Sequence, residues 1–391
     1  MTAANRRQWA GLLTGLSALA LPVLASAAAL ERAVPAVVRI LYEDGTYGEI
    51  GLVYTRPDLD GKNGVLPPSL GGVAVSGNTG NLLDSDWKFS GALKGDINEQ
   101  LSYILMFDQP YVANTSYGRG SFPAAFNYGG TNADLDTYQI SAGLAYDVNP
   151  SVKVYGGLRA QRLDAKAAIP VLASYDISAD DDWGYGGFVG AAYARPEIGL
   201  RVALTYQSKI SYTLDTHERA TIPTPFGPQR ISIDDTTDVD TPQSVTLEAQ
   251  TGINEKTLVF GSIRWVDWSE FAIAPQLYGD VTAGLLGEAR PLVDYPEDWW
   301  TYNIGIARQL TDTLAGSLSF TYEPQVDEVL TTLGPVDGRT TFGAGLSYDV
   351  GQVNIAGGIS YGWLGDTTNL LDTKYRDGTI FNAALRVGYS F

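Results

Sequence analysis

The segment "FNAALRVGYSF" (Phe381 to Phe391), with which the chain ends, alternates between apolar residues and small or polar ones. One set of alternate positions holds Phe381, Ala383, Leu385, Val387, Tyr389 and Phe391, and the other holds Asn382, Ala384, Arg386, Gly388 and Ser390. Because successive side chains of a strand point to opposite faces, this pattern predicts a β-strand with one apolar face. Such a strand fits a closed barrel in lipid, and it also fits the edge of a soluble sandwich.

Alternating segments of this kind follow one another from Tyr47 onward, joined by short and long connections in turn. The short joints carry the turn residues Gly, Pro, Asn or Asp, and they lie at 95–98, 148–151, 195–199, 253–256, 310–313 and 350–352. Long polar joints are expected at 56–83, 109–136, 167–184, 214–240, 269–298, 324–339 and 364–378. This rhythm predicts about fourteen strands, an even number, as in bacterial single-chain barrels.

The strand faces favour the barrel over the sandwich. In "VNIAGGISYGW" (Val353 to Trp363), large apolar side chains alternate with small or polar ones, and Tyr361 and Trp363 lie near the strand end. A soluble sandwich would give the same alternation with its polar face outside. The uninterrupted up-and-down order, the aromatic strand ends and the aromatic terminus together predict an all-β, antiparallel transmembrane barrel over residues 47–391.

Composition excludes several classes of site. The 391 residues include no Cys and a single histidine, His217, so neither a thiolate nor a multi-histidine metal site can form within one chain. We therefore expect no catalytic residue, no metal and no cofactor, and we predict that the protein is not an enzyme. The net charge of −18 argues against nucleic acid as a partner. Acidic joints such as Ile233 to Asp240 either aid solubility or bind divalent cations that bridge to anionic lipid.

The first residues indicate export. Arg6 and Arg7 precede the apolar run "WAGLLTGLSALALPVLASA" (Trp9 to Ala27), which ends in a small-x-small cleavage pattern. We predict a signal peptide over residues 1–27. An uncleaved anchor is the alternative, but the run contains Pro22 and no stop-transfer charges follow it. No later stretch has the roughly 18 apolar residues that a spanning helix needs, so the expected location is the outer membrane of a Gram-negative bacterium.

Several stretches resemble the FadL family of outer-membrane channels for long-chain fatty acids and other hydrophobic compounds. They follow in family order and cover roughly 84–391: Met106 to Tyr111, Gly199 to Asp215, Thr241 to Val245, Trp265 to Phe271 and Trp299 to Gln325. The resemblance implies a fourteen-stranded barrel, passive uptake of hydrophobic small molecules such as fatty acids, contact with outer-membrane lipid and lipopolysaccharide, and insertion by machinery that reads the terminal strand through Tyr389 and Phe391. A general diffusion porin is the alternative function, and it would conduct ions steadily.

The N-terminal residues depart from the family pattern. The family carries a substantial hatch with an Asn-Pro-Ala motif, whereas only residues 28–46 precede the first predicted strand here, and they lack that motif. Gating by the hatch is therefore not carried over. The apolar run from Ala33 to Leu41 predicts either a short plug inside the barrel or an extension of the first strand, because short apolar runs are ambiguous.

A lateral exit is implied by the family's kinked third strand, which corresponds to "NEQLSYILMFD" (Asn98 to Asp108). Alternation turns Ile104 and Met106 inward, so this strand is apolar on both faces, as a passage between lumen and bilayer requires. The other interpretation is a strand that packs against an apolar plug.

Two groups of residues are candidate ligand contacts. Arginines expected to face the lumen could pair with a carboxylate, and they are Arg159, Arg201, Arg264 and Arg386. The alternative is that these arginines pair with luminal acids, Glu248 being the nearest candidate. Aromatic residues of the long joints could capture alkyl chains, and they are Phe122, Phe126, Trp268 and Phe271. Packing within the loops, or contact with lipopolysaccharide, is the alternative for these.

Overall fold

The computed structural model describes residues 30–31, 37–66, 68, 71–118, 120–122, 128–326 and 329–391. The predicted signal peptide, residues 1–27, lies outside this range, as does Phe126. Among the described residues, the helices are too short or too polar to cross a membrane.

Strands make up most of the described chain. In chain order they are β1 (Tyr47–Asp58), β2 (Asp60–Val65), β3 (Ala74–Asn81), β4 (Asp86–Asp96), β5 (Leu101–Asp108), β6 (Val112–Ser116), β7 (Asn132–Asn149), β8 (Val152–Ile169), β9 (Tyr175–Arg195), β10 (Leu200–Gln207), β11 (Ile210–Thr224), β12 (Gly227–Thr241), β13 (Ser244–Asn254), β14 (Thr257–Val266), β15 (Ala272–Ile273), β16 (Val293–Asp294), β17 (Trp299–Gln309), β18 (Leu314–Glu323), β19 (Val329–Leu330), β20 (Arg339–Val350), β21 (Val353–Leu364), β22 (Thr367–Asn369), β23 (Lys374–Tyr375) and β24 (Thr379–Ser390). The helices are α1 (Val37–Ile40) and α2 (Gln276–Leu286), with 3-10 turns at Pro196–Ile198 and Trp268–Glu270.

A closed antiparallel barrel of 14 strands forms the body of the protein, as the sequence predicts. Its order is β1, β4, β5 with β6, β7, β8, β9, β10 with β11, β12 with β13, β14, β17, β18, β20, β21 and β24. Three barrel strands are thus interrupted once along their length. The barrel closes where β1 pairs with β24, from Tyr47 opposite Ser390 to Asp58 opposite Thr379. This closure pairs every barrel strand on both sides, which a bilayer demands of a spanning sheet.

The short joints are tight turns at one end of the barrel, as predicted, but two of the expected long joints are wrong. Residues 167–184 and 214–240 are mostly strand, because β8 pairs with β9 up to Ile169 opposite Tyr175, and β11 pairs with β12 up to Thr224 opposite Gly227. Both hairpins project beyond the membrane. Their outer faces carry charged and hydroxyl side chains, so the lipid-facing apolar signal fades although the backbone remains extended.

The outer wall carries a band of exposed apolar side chains, including Ile50, Leu158, Ile304 and Leu318. Aromatic residues such as Trp300 and Trp363 lie toward the end of the barrel that carries the long connections, and Tyr389 lies toward the end with the short turns. Aromatics at these two levels mark the interfaces of the bilayer. The apolar face of each strand therefore contacts lipid.

Residues 37–46, which we call the inner segment, begin with α1 and pack inside the short-turn end of the barrel. Val37, Ile40 and Leu41 are buried in one cluster with the inward side chains of Ile104 and Met106. Lys94 of β4 donates to the carbonyl oxygens of Glu43, at 2.7 Å, and Gly45, at 3.2 Å. The side chains of Arg39 and Glu49 form an ion pair that joins α1 to β1.

The inner segment gives the first test. Ile40 is fully buried, so Ile40→Ala should lower the free energy of unfolding by about 2–5 kcal/mol, the usual cost of such a core truncation. The measurement is the temperature at which the barrel loses its folded mobility on a gel. Ile50→Ala is the matched control, because Ile50 is 70% exposed on the lipid face of β1. Equal losses from both substitutions would contradict a packed inner segment.

Candidate functional site

The connection between β14 and β17, residues 267–298, forms a folded lid over the long-connection end of the barrel. Trp268 and Phe271 lie inside an aromatic cluster with Tyr295 and Trp299, and the ring centroids of Trp268 and Tyr295 are 5.0 Å apart. Trp268 is fully buried and Phe271 is 3% exposed. Phe122 is also buried, 5.7 Å from the ring of Tyr128. The structure therefore brings these aromatics into loop packing.

Glu218 of β11 anchors the lid. Its carboxylate accepts hydrogen bonds from the backbone N–H groups of Leu277, at 3.1 Å, and Tyr278, at 3.0 Å, in the first turn of α2. The hydroxyl of Tyr175 donates to the same carboxylate at 2.8 Å. Burial, followed by the nearby Glu218 charge, raises the pKa of Tyr175, so this hydroxyl remains a donor. A carboxylate at the positive end of a helix is a favourable contact, and it fixes α2 to the hairpin. Glu218 is not among the site residues that the sequence predicts.

An apolar cavity of about 60 Å³, which we call the upper cavity, lies beneath the lid. Its walls include Leu30 of the N-terminal segment, Leu135 and Leu163 of the barrel, and Ile273 and Leu292 of the lid. Its only charged lining residues within the described part of the chain are Asp134 and Lys166, which pair with each other at 3.0 Å. The upper cavity thus suits an apolar group.

A second cavity of about 50 Å³, the side cavity, adjoins the first. The two share Leu30, Ala113, Leu333 and Gly334 as lining residues. The side cavity is more polar, because Asp84, Asp86, Lys88 and Arg339 also line it. Lys88 forms an ion pair with Asp86, and Arg339 forms one with Glu323 at 3.0 Å. Arg339 falls in a long joint of the sequence pattern, and its position opposite Glu323 appears only once the strands are paired.

The side cavity borders a gap in the barrel wall. Residues of β4 and β5 pair as far as Gly91 opposite Phe107, and a bridge from Leu83 to Thr115 resumes the same register further along. Between these points, residues 85–90 and 108–113, which are all described, have no backbone pairing across the wall. We call this gap the slot. One side-chain bond crosses it, from the backbone N–H of Phe89 to Oε1 of Gln109, at 2.9 Å.

A β-bulge opens the slot. Asp108 of β5 lies opposite Gln139, and Val112 of β6 lies opposite Asp136, so three residues of this barrel strand face two residues of β7. One of the three is Pro110, which has no N–H to give to a ladder. The extra residue bends the strand away from β4. The backbone N–H of Val112 instead donates to the carbonyl oxygen of Leu30, at 2.9 Å, which ties the N-terminal segment to the bulge.

Ile104 and Met106 lie on the short-turn side of the slot. Both point inward, as predicted, and both belong to the part of β5 that is fully paired with β4. They pack against the inner segment.

Buried polar side chains form a layer inside the barrel. Nε of Arg264 donates to Glu31 at 3.0 Å, and its Nη1 donates to Thr246 at 2.7 Å. Arg159 donates to the side chain of Gln207, at 2.8 Å, and to the carbonyl oxygen of Ser208, at 2.7 Å. The expected partner of the arginines, Glu248, is not the residue that pairs with Arg264.

The other two predicted arginines are nearer the short-turn end. Arg386 lies 3.8 Å from the carboxylate of Glu49 and donates to Asn354 at 3.3 Å. Arg201 lies 4.1 Å from the ring centroid of Tyr42, beside a cavity of about 500 Å³ at the barrel end. The four arginines are therefore spread over different levels and do not converge on one ligand position. None of them lines the upper or the side cavity within the described chain.

The comparison with known families identifies this architecture. The family model described as "Outer membrane protein transport protein (OMPP1/FadL/TodX)" matches residues 23–384. The chain belongs to this family. It therefore lies in the outer membrane of a Gram-negative bacterium, and its family consists of transport channels for hydrophobic compounds rather than of enzymes. No curated protein sequence matches the chain.

Solved structures of the same fold include several family members. A Pseudomonas aeruginosa FadL homologue is similar with a TM-score of 0.72 and 14% identity, over 90% of this chain and 92% of that one. The Pseudomonas putida toluene transporter TodX gives 0.62 and 16%, over 89% and 90%. The Ralstonia pickettii toluene transporter TbuX gives 0.63 and 16%, over 97% and 99%. At these identities the likeness establishes the fold.

The buried Arg264 and Glu31 pair provides a second test. Arg264→Met leaves the Glu31 carboxylate buried without its cation, which should destabilise the attached N-terminal segment by about 3–5 kcal/mol. We expect higher ion conductance in planar bilayers, because the segment detaches from the lumen. The double variant Glu31→Gln with Arg264→Met should restore low conductance, since no charge is left unpaired. Unchanged conductance in the single variant would show that the pair does not hold the segment.

Proposed function

We propose that the protein takes up hydrophobic molecules passively, holds them in the upper and side cavities, and releases them sideways into the membrane through the slot. The observation that carries this proposal is continuity: the apolar upper cavity adjoins the side cavity, and the side cavity is lined by residues from both edges of the slot, Lys88 on one edge and Ala113 on the other. A molecule bound under the lid is thus already beside the bilayer.

The route through the lumen to the short-turn end of the barrel is energetically unfavourable for such a molecule. It would have to pass the buried pair of Arg264 and Glu31, and breaking a pair of this kind costs about 3–5 kcal/mol. It would also have to displace the inner segment, whose Ile40 and Leu41 are fully packed. Release into water at the far end would then expose apolar surface at about 0.8 kcal/mol per methylene. Lateral release avoids all three costs.

The substrates we propose are small hydrophobic molecules, and long-chain fatty acids are one class among them. Two of the structurally similar proteins are named as toluene transporters, which supports neutral hydrocarbons as a second class. We propose Arg159, Arg201, Arg264 and Arg386 as contacts only for a carboxylate that enters the lumen between the cavities and the short-turn end. Phe122, Trp268 and Phe271 are proposed to support the cavity roof, while Phe126 lies outside the described residues.

Two further contacts belong to this proposal. The rings of Tyr389 and Phe391 meet edge to face at the end of β24, with ring centroids 4.8 Å apart, and Phe391 is 73% exposed. We propose this pair as the surface that the insertion machinery reads. The projecting hairpins of β8 with β9 and β11 with β12 are proposed to contact lipopolysaccharide, because their outer faces are polar and charged.

Closing the slot tests the exit route. The chain has no native cysteine, so Phe89→Cys with Gln109→Cys places the only two thiols on opposite edges of the slot. Joining them with a short bifunctional thiol reagent should reduce uptake of a fluorescent hydrophobic probe to the level of cells without the protein. Reduction of a cleavable cross-linker should restore uptake.

The matched control joins the same two barrel strands below the slot. Leu93→Cys with Leu105→Cys uses residues that are direct partners in the paired part of the wall, so this cross-link should leave uptake unchanged. Normal uptake by protein whose slot is fully cross-linked would exclude release through the slot. Steady ion conductance in the unmodified protein, together with uptake of polar solutes, would instead favour a general porin.

A further inference from the structure

Arg339 has two hydrogen-bond donors without an acceptor among the described residues. It is 3% exposed at the start of β20, and its Nη2 donates to Oε1 of Glu323 at 3.0 Å. Its Nε and Nη1 atoms are buried, and in the part of the chain that the structure describes they have no hydrogen-bond partner. Buried donors are nearly always satisfied in folded proteins, and leaving one unsatisfied costs about 1–3 kcal/mol. A bound molecule that supplies an acceptor would satisfy both donors of this guanidinium.

The surroundings of Arg339 indicate where that acceptor would come from. Arg339 lines the side cavity, which shares Leu30, Ala113, Leu333 and Gly334 with the apolar upper cavity. The two cavities, of about 60 Å³ and about 50 Å³, each hold roughly four water-sized units at ~10–15 Å³ per unit. A single ligand could thus place an apolar body in one cavity and a polar atom in the other.

The charge balance of the side cavity decides the kind of polar atom. The charge of Arg339 is offset by Glu323, and that of Lys88 is offset by Asp86. Asp84 adds a further carboxylate to the lining. A ligand carboxylate would therefore bring an unbalanced negative charge into a buried site that already contains acids, which is costly. A neutral oxygen accepts the same hydrogen bond without that cost.

We propose that the two cavities form one binding site for a neutral hydrophobic molecule that carries an oxygen acceptor, such as a ketone, an ester, an alcohol or a phenol. The ligand oxygen accepts a hydrogen bond from the Arg339 guanidinium, and its apolar body lies against Leu135, Leu163 and Leu292. This inference rests on the proposed function, because it names the substrate class of the same cavities. Arg339 is thereby the residue that distinguishes oxygenated molecules from plain hydrocarbons.

The test compares three probes of equal chain length: decane, 2-decanone and decanoate. Each displaces a bound fluorescent hydrophobe from the purified full-length protein, and all variants are measured at one detergent concentration so that partitioning into detergent cancels. The main variant is Glu323→Gln with Arg339→Gln, which removes the ion pair without leaving a buried charge. Asp366→Asn with Arg376→Gln, an exposed pair bonded at 2.6 Å, is the matched control.

We expect the unmodified protein to bind 2-decanone more tightly than decane or decanoate. The main variant should weaken the binding of 2-decanone by roughly 10- to 100-fold, the range expected for a hydrogen bond to a charged group. It should leave the binding of decane unchanged. The control variant should change none of the three. Arg339→Lys, which retains the charge but loses the planar donor geometry, should also weaken 2-decanone selectively, and it serves if the main variant does not fold.

Two results would overturn the inference. One is equal weakening of decane and 2-decanone in the Arg339 variants, or no weakening of either, because Arg339 would then not read the oxygen. The other is tightest binding of decanoate with selective loss of decanoate in the variants, which would make this an anion site. Failure of the unmodified protein to bind or take up any of the three probes would instead refute the proposed function itself.

Discussion

A strand in a bilayer has no water with which to satisfy its backbone, so a barrel wall must pair each N–H and C=O group with a neighbouring strand. This protein departs from that rule between β4 and the bulge that separates β5 from β6. The structure compensates locally. Gln109 extends its side chain to the N–H of Phe89, and the carbonyl of Leu30 accepts from Val112. The slot, the adjoining cavities and the position of the N-terminal segment all depend on this bulge.

The same constraint explains why the N-terminal residues lie inside the barrel. The carbonyl of Leu30 accepts a hydrogen bond at the bulge, and Leu30 lines both the upper cavity and the side cavity. Glu31 balances the buried charge of Arg264. Further along, Arg39 and Glu49 join α1 to the first strand. One stretch of chain therefore bonds to the slot, provides the counter-ion of the polar layer and fills the lower lumen. The proposed sideways route and the obstruction of the lumen toward the short-turn end would therefore have a common structural cause.

The barrel could be predicted because lipid on one face imposes a strict period of two. Ile104 and Leu105, for example, fall on opposite faces as expected, since only one of them can contact the bilayer. The strand prediction was wrong where neither face of a strand contacts lipid. The hairpins of β8 with β9 and β11 with β12 extend into water, and their polar residues resembled loops. The placement of the signal peptide remains a prediction, because it lies outside the described residues.

The candidate site was harder to predict, because its residues meet only after the chain has closed. Arg264 and Glu31 are 233 positions apart, so sequence spacing could not pair them. Arg339 and Glu323 lie opposite each other on β20 and β18. The sequence pattern did not show where the connection between these strands ends, so Arg339 was assigned to a predicted joint. The aromatic residues Trp268 and Phe271 suggested exposure because they lie in a connection, whereas the lid folds around them.

The central claim is that an apolar molecule leaves through the slot and not through the barrel end. The most direct measurement is photolabelling of the protein in outer membranes with a diazirine-bearing alkane, followed by mass spectrometric mapping of the adducts. We expect adducts on Ala113, on Val112 and on Phe89, at the edges of the slot, and none on Tyr42 or Lys153 beside the cavity at the short-turn end. Adducts on Tyr42 and Lys153 with an unlabelled slot would contradict the account.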